Sequence, residues 1–208
     1  MSVRESYAPP PAATARVEPS RGRSTSWWGM VLLIFTEATL FAILLTSYLY
    51  IRFRTSPVWP PPGIPKPALG LVLVMTPILL LSSAPMHWAA RSIARGRVRE
   101  LKIGLAATFV MGATFLGLQM VEFTRTLEDF TPRTDAYGSL FFTITGFHGV
   151  HVAVGLLMNL WLQWYAYRGR FSEERFGPVE NIALYWHFVD AVWVFILFVV
   201  YLTPWIWP

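Results

Sequence analysis

The chain has 208 residues, 54% of them hydrophobic, 16% aromatic and 14% charged, where a soluble domain carries about a quarter charged residues. Its net charge of +5 does not point to nucleic acid, because the basic residues lie between long apolar runs and not on one polar face. The absence of cysteine excludes disulfides, iron–sulfur clusters and Cys-based zinc sites.

Residues 1–26 are rich in Pro, Ala, Ser and Arg and have no apolar period, which predicts a flexible tail without a basic-then-apolar leader. Five apolar stretches follow, at Trp27–Ile51, Ala68–Ala90, Leu101–Val121, Ser139–Tyr165 and Ile182–Pro204. Each is near the ~20 residues a helix needs to cross hydrocarbon. A Pro-rich loop from Ser56 to Gly63, a basic turn from Arg91 to Lys102, a polar loop from Leu127 to Tyr137 and a charged loop from Arg168 to Glu180 separate them. A spanning segment must satisfy its own backbone hydrogen bonds, and the shorter alternating segments of a barrel are missing. The expected fold is therefore all-α: a flexible tail over 1–26 and an integral membrane bundle of five transmembrane helices over 27–208. Pro77 and Pro85 fall inside the second stretch and should kink it or end it early.

Lysine and arginine give the direction. With the amino terminus cytoplasmic, twelve of the 17 basic residues fall inside, in the tail and in the second and fourth loops. The remaining five, Arg52, Arg54, Lys66, Arg125 and Arg133, fall outside. The carboxyl terminus is then expected outside, with Trp205 and Trp207 at the outer interface.

Ionisable groups within spans are costly and face protein or water. Glu37 lies about 15 Å along its helix from Trp27, near the bilayer centre. It reads either as a proton-handling or lipid-contacting site or as a neutral group tying helices together. His148 and His151 share one helix face, as do His187 and Asp190, with Trp186 four residues before Asp190. A haem held by two histidines needs imidazoles at matching depth, and His187 lies near the inner end of its helix while His148 and His151 do not. Four histidines in all is a thin supply for a metal centre, so interhelical hydrogen bonding is the favoured role. His87 reads as interfacial and Glu122 as close enough to the outer end of its span to reach water. Glu180 suits a helix amino terminus, and Gly146, Gly149 and Gly155 suit close helix packing.

The runs Tyr137-Gly138-Ser139, Gly146-Phe147-His148-Gly149-Val150-His151-Val152 and Tyr185-Trp186-His187-Phe188-Val189-Asp190 with Val192-Trp193 strongly resemble subunit III of haem-copper respiratory oxidases. Glu37, the loop Trp59 to Ile64, and Leu118-Gln119 with Glu122 resemble the same family more weakly. The resemblance covers about residues 27–205 and is to the short, five-helix bacterial form, since no apolar pair precedes Trp27. It implies a non-catalytic subunit of a proton-pumping cytochrome c oxidase in a bacterial plasma membrane. The implied partners are subunit I, as the main contact, and subunit II. Haems and copper would lie on those partners and none on this chain, and phospholipid would be bound. Glu37, His148, His151, Trp186, His187 and Asp190 would order helices and lipid or support proton uptake. Arg168, Arg170 and Arg175 are expected as lipid-headgroup contacts, with positive-inside topology as the plainer reading of the same residues. A quinol oxidase, or the accessory protein of nitric oxide reductase, is compatible with the same residues. An independent proton-linked transporter is disfavoured by the lack of an internal repeat.

Overall fold

A computed structural model describes residues 23–55 and 58–207. The tail expected over 1–26 lies outside the described residues as far as residue 22. Among those described, five helices are long and apolar enough to cross a membrane. They are α1 (Thr25–Thr55), α2 (Leu69–Ile93), α3 (Val98–Asp129), α4 (Ala136–Tyr167) and α5 (Gly177–Ile196). The last continues through a π-helical stretch, Leu197–Leu202, into a short turn, α6 (Thr203–Ile206). Most helices overrun the apolar windows, because hydropathy marks what lipid tolerates and not where backbone hydrogen bonding stops. Helix α2 runs through both Pro77 and Pro85, so neither ends it early.

Helix ends follow local chemistry. Gly96 closes α2 with φ +71°, a conformation side chains rarely adopt, and the Arg97 amide returns to the Ser92 carbonyl at 3.0 Å. Asp135 caps α4 by accepting from the Gly138 amide at 2.8 Å. A side chain at Gly138 would lie 2.4 Å from the Thr131 carbonyl, so the tight α3–α4 turn requires glycine there. Pro178 sits in the first turn of α5, where its missing N–H costs nothing.

Helices α4 and α5 each pack against three others, α5 against α1, α2 and α4, and α4 against α1, α3 and α5, while α2 pairs with α3. Half of the most apolar window of α5 is buried, against 6% for α1. Helix α1 thus leans on α4 and α5 with one narrow face and turns the rest outward, including Leu32, Phe35, Ile43 and Phe53.

Candidate functional site

The face of α5 carrying Trp186, Asp190 and Trp193 meets a row of hydroxyls on α2. The Trp186 indole donates to Ser82 at 2.9 Å and the Trp193 indole to Thr76 at 3.1 Å. Between them the Ser83 hydroxyl donates to Asp190 Oδ2. That uses its one hydrogen, so His187 Nδ1, 2.8 Å away, donates to the Ser83 oxygen. Asp190 Oδ1 is buried and has no hydrogen bond among the described residues. Polar side chains thus join two apolar helices where hydrocarbon supplies no partner.

Trp186 is wedged between α3 and α4. A Cβ on Gly112 would lie 2.6 Å from its Cη2, and one on Gly155 2.9 Å from its Cε3. The packing role expected of Gly155 is therefore specific: it leaves room for an indole. Gly149 faces Gln119, whose amide donates to the Thr145 carbonyl at 2.8 Å, whereas Gly146 has only Phe123 near it.

Glu37 and His151 meet on the other side of the bundle, with Glu37 Oε2 3.0 Å from His151 Nε2. His151 Nδ1 lies 2.7 Å from the Phe147 carbonyl. A carbonyl only accepts, so Nδ1 carries a hydrogen. The contact between Nε2 and Oε2 then holds one proton, either on the carboxyl group or on the imidazole. In both arrangements the pair is neutral overall. The Tyr185 hydroxyl donates to the His151 carbonyl at 3.3 Å, and Phe41 lies edge-on to the ring at 5.0 Å. The pair borders an open pocket of about 150 Å³ with Leu33, Val154 and Met158 on its apolar wall.

His148 and His151 share a helix face but not an environment. His148 is fully buried, stacked on Trp193 at 5.0 Å and flanked by Phe115. Neither of its ring nitrogens has a hydrogen bond among the described residues. His187 meets neither of them; its imidazole neighbour is His87, with ring centroids 6.2 Å apart. Among the described residues, no group of three His, Asp or Glu could hold a metal ion.

One expectation is corrected. Glu122 does not reach water: it is 2% exposed, on a helix that continues two turns beyond Val121. Thr126 donates to its Oε1 at 3.1 Å and the Tyr201 hydroxyl approaches its Oε2 at 3.5 Å. Arg52, counted among the outer basic residues, lies in the last turn of α1, buried, and its guanidinium donates to Thr203 and to the Trp207 carbonyl. Arg168 lies at the end of α4 over the Trp164 ring, at 4.3 Å. Arg170 and Arg175 are both exposed in the α4–α5 connection.

The model of a family described as cytochrome c oxidase subunit III matches residues 21–207, nearly the whole chain. This chain belongs to the cytochrome c oxidase subunit III family. It is similar to the cytochrome c oxidase subunit 3 of Synechocystis, 38% identical over 84% of this chain and 74% of that one. The subunit 3 of Thermostichus vulcanus is 33% identical over 84% and 85%, and that of Petromyzon marinus 35% over 84% and 68%. The matched region takes in Glu37, the α4 histidines and the Trp186–Trp193 face together. The family match and the five long apolar helices together make this a multi-pass helical membrane subunit.

Proposed function

We propose that this subunit III serves a proton-pumping cytochrome c oxidase as a non-catalytic subunit that steadies subunit I, holds phospholipid and supports proton uptake. Subunit I is its main contact and subunit II a second partner. The haems and copper belong to those partners, which carry the reduction of dioxygen. The chain sits in a bacterial plasma membrane with its amino terminus cytoplasmic and its carboxyl terminus outside, as the positive-inside count favours. Its similarity to cytochrome c oxidase subunits favours a cytochrome c oxidase over a quinol oxidase or a nitric oxide reductase accessory protein.

The observation that carries the proton-linked part is the Glu37–His151 contact at 3.0 Å. A pair that holds one proton in either of two places, beside a pocket at bilayer depth, can pass that proton on without burying a net charge. His148, Trp186, His187 and Asp190 hold α5 against α2 and α4, and so fix Tyr185 against the backbone of His151. Arg168, Arg170 and Arg175 contact lipid headgroups at the α4–α5 connection.

The test is Glu37→Gln in the whole complex. The variant should assemble with all subunits, while proton uptake or the lifetime of turnover changes. Loss of the subunit during purification would make Glu37 a purely structural residue. A haem spectrum from the isolated chain would overturn the placing of haem on the partners.

A further inference from the structure

Three proton-carrying side chains converge on the open pocket of about 150 Å³: Glu37 from α1, His151 from α4 and Tyr185 from α5. The rest of its lining, Leu33, Val150, Val154 and Met158, is apolar. Tyr185 is buried, and its ring lies against α4 where glycine leaves room: a Cβ on Gly155 would sit 3.4 Å from Cε1. That packing needs only a ring. The hydroxyl is an added polar group at bilayer depth, where hydrocarbon supplies no partner.

The partner it has is the His151 carbonyl at 3.3 Å, long for an O–H···O bond, whose usual length is about 2.7–2.8 Å. That carbonyl lies inside α4 and also serves the helix ladder. The hydroxyl is thus weakly held, and a hydroxyl hydrogen rotates to suit its surroundings. Its other side is the pocket it shares with Glu37. Glu37 Oε2 is taken by His151, while Oε1 has no hydrogen bond among the described residues. A pocket of this volume has room for water, and a water between Tyr185 and Glu37 Oε1 has the two polar partners it needs.

The Glu37–His151 contact holds one proton in either of two places. On the carboxyl it leaves both partners neutral; on the imidazole it makes them an ion pair. A hydrogen bond delivered to the carboxylate favours the ion pair, and its withdrawal favours the neutral pair. Among the described residues, no charged side chain beyond these two lines the pocket to override that choice.

We propose that Tyr185 is the positioning residue of this pair: its hydroxyl, turned from the His151 carbonyl to a pocket water on Glu37 Oε1, moves the shared proton from Glu37 to His151. The O–H bond of the carboxyl breaks as the Nε2–H bond of the imidazole forms; no electron moves and no outside proton is needed. Tyr185 adjoins Trp186 on the helix that Ser82 and Ser83 tie to α2, so a shift of α5 against α4 resets where the proton sits. The inference rests on the proton-linked reading of Glu37 and His151.

The intact oxidase is measured by infrared difference spectroscopy, with the bands of the pair identified as those lost in Glu37→Gln. Tyr185→Phe should raise the ratio of neutral carboxyl to carboxylate about tenfold, the effect of one hydrogen bond. Tyr185→3-fluorotyrosine, a stronger donor of nearly the same shape, should lower it. Tyr167→Phe, on an exposed residue outside the pocket, should leave it unchanged. A ratio unmoved by both Tyr185 substitutions, or moved the same way by both, makes the hydroxyl a packing group and overturns the proposal, whatever the melting temperature does. Should Tyr185→Phe fail to assemble, the sign of the 3-fluorotyrosine shift decides the matter. The parent reading is scored separately. If Glu37→Gln leaves proton uptake and turnover lifetime unchanged while both Tyr185 substitutions shift the ratio as stated, the proton-linked role of the pair fails and the positioning role of Tyr185 stands.

Discussion

Where α1 finishes, Arg52 is 6% exposed and its guanidinium is consumed by Thr203 and the Trp207 carbonyl. Where α1 begins, Arg23 and Arg91 stand exposed around a pocket. The first end is knitted together by its own polar groups. The Trp59 indole donates to the Tyr48 hydroxyl at 2.9 Å, Trp59 lies edge-on to Tyr137 at 5.3 Å, and the Trp205 indole donates to the Pro67 carbonyl at 3.1 Å. The second end keeps both guanidiniums at the surface, Arg23 over the Trp27 ring and Arg91 beside the pocket. A membrane subunit can thus spend an arginine as an internal tie or leave it available at the interface, and burial separates the two uses better than position in the sequence does.

Both ends depend on the layer between them. Gly112→Leu would drive a side chain into the Trp186 indole, which α4 confines from the other side. It should cost about 3 kcal/mol or more and leave a complex that loses this subunit on purification. Arg52→Met should come next. It strips a buried anchor of charge-assisted hydrogen bonds, each worth about 1.5–3 kcal/mol, and should lower the melting temperature of the detergent-solubilised complex. Tyr48→Phe removes the hydroxyl that accepts from Trp59 and reaches the Val200 carbonyl at 3.5 Å, and should cost about 1 kcal/mol in the same melt. Arg95→Gln, on an exposed residue of the opposite end, should fall within about 0.5 kcal/mol of wild type. The contrast between the ends fails if Arg52→Met and Arg95→Gln prove equally mild, and is sharpened if their costs differ as stated.

Much of the fold was legible in the residues. Long apolar windows at bilayer length, broken by Pro-rich or charged turns, leave few solutions besides a helical bundle. The face of Trp186, Asp190 and Trp193 was also visible, because helical spacing brings positions four and seven apart together. What faces it was not. The row Thr76, Ser82 and Ser83 resembles ordinary small residues of a span until α5 is docked on it. Glu37 and His151 are 114 residues apart, and their contact depends on the tilt and rotation of α1 against α4, which local pattern does not encode. Glu122 was misread because a charged residue near a span end was expected to reach water, whereas α3 continues past it and its carboxyl meets Thr126 and Tyr201. Arg23 and Arg91 were counted for topology alone, and only their convergence on one pocket distinguishes them from other basic residues.

The π-helical stretch Leu197–Leu202 gives the last span two angular phases. An α-helix advances about 100° per residue, and a wider coil advances less, so everything downstream lags behind the α-helical continuation. Upstream, the helix addresses α2 through Trp186, Asp190 and Trp193. Near its end Tyr201 turns to Glu122 on α3, and downstream Thr203 turns to Arg52 on α1 and Trp205 to the Pro67 carbonyl. One rigid rod could not satisfy both sets at once. The stretch therefore acts as a vernier between two fixed scales, and removing a single residue from it would leave α5 seated while every contact at the far end slips past its mark.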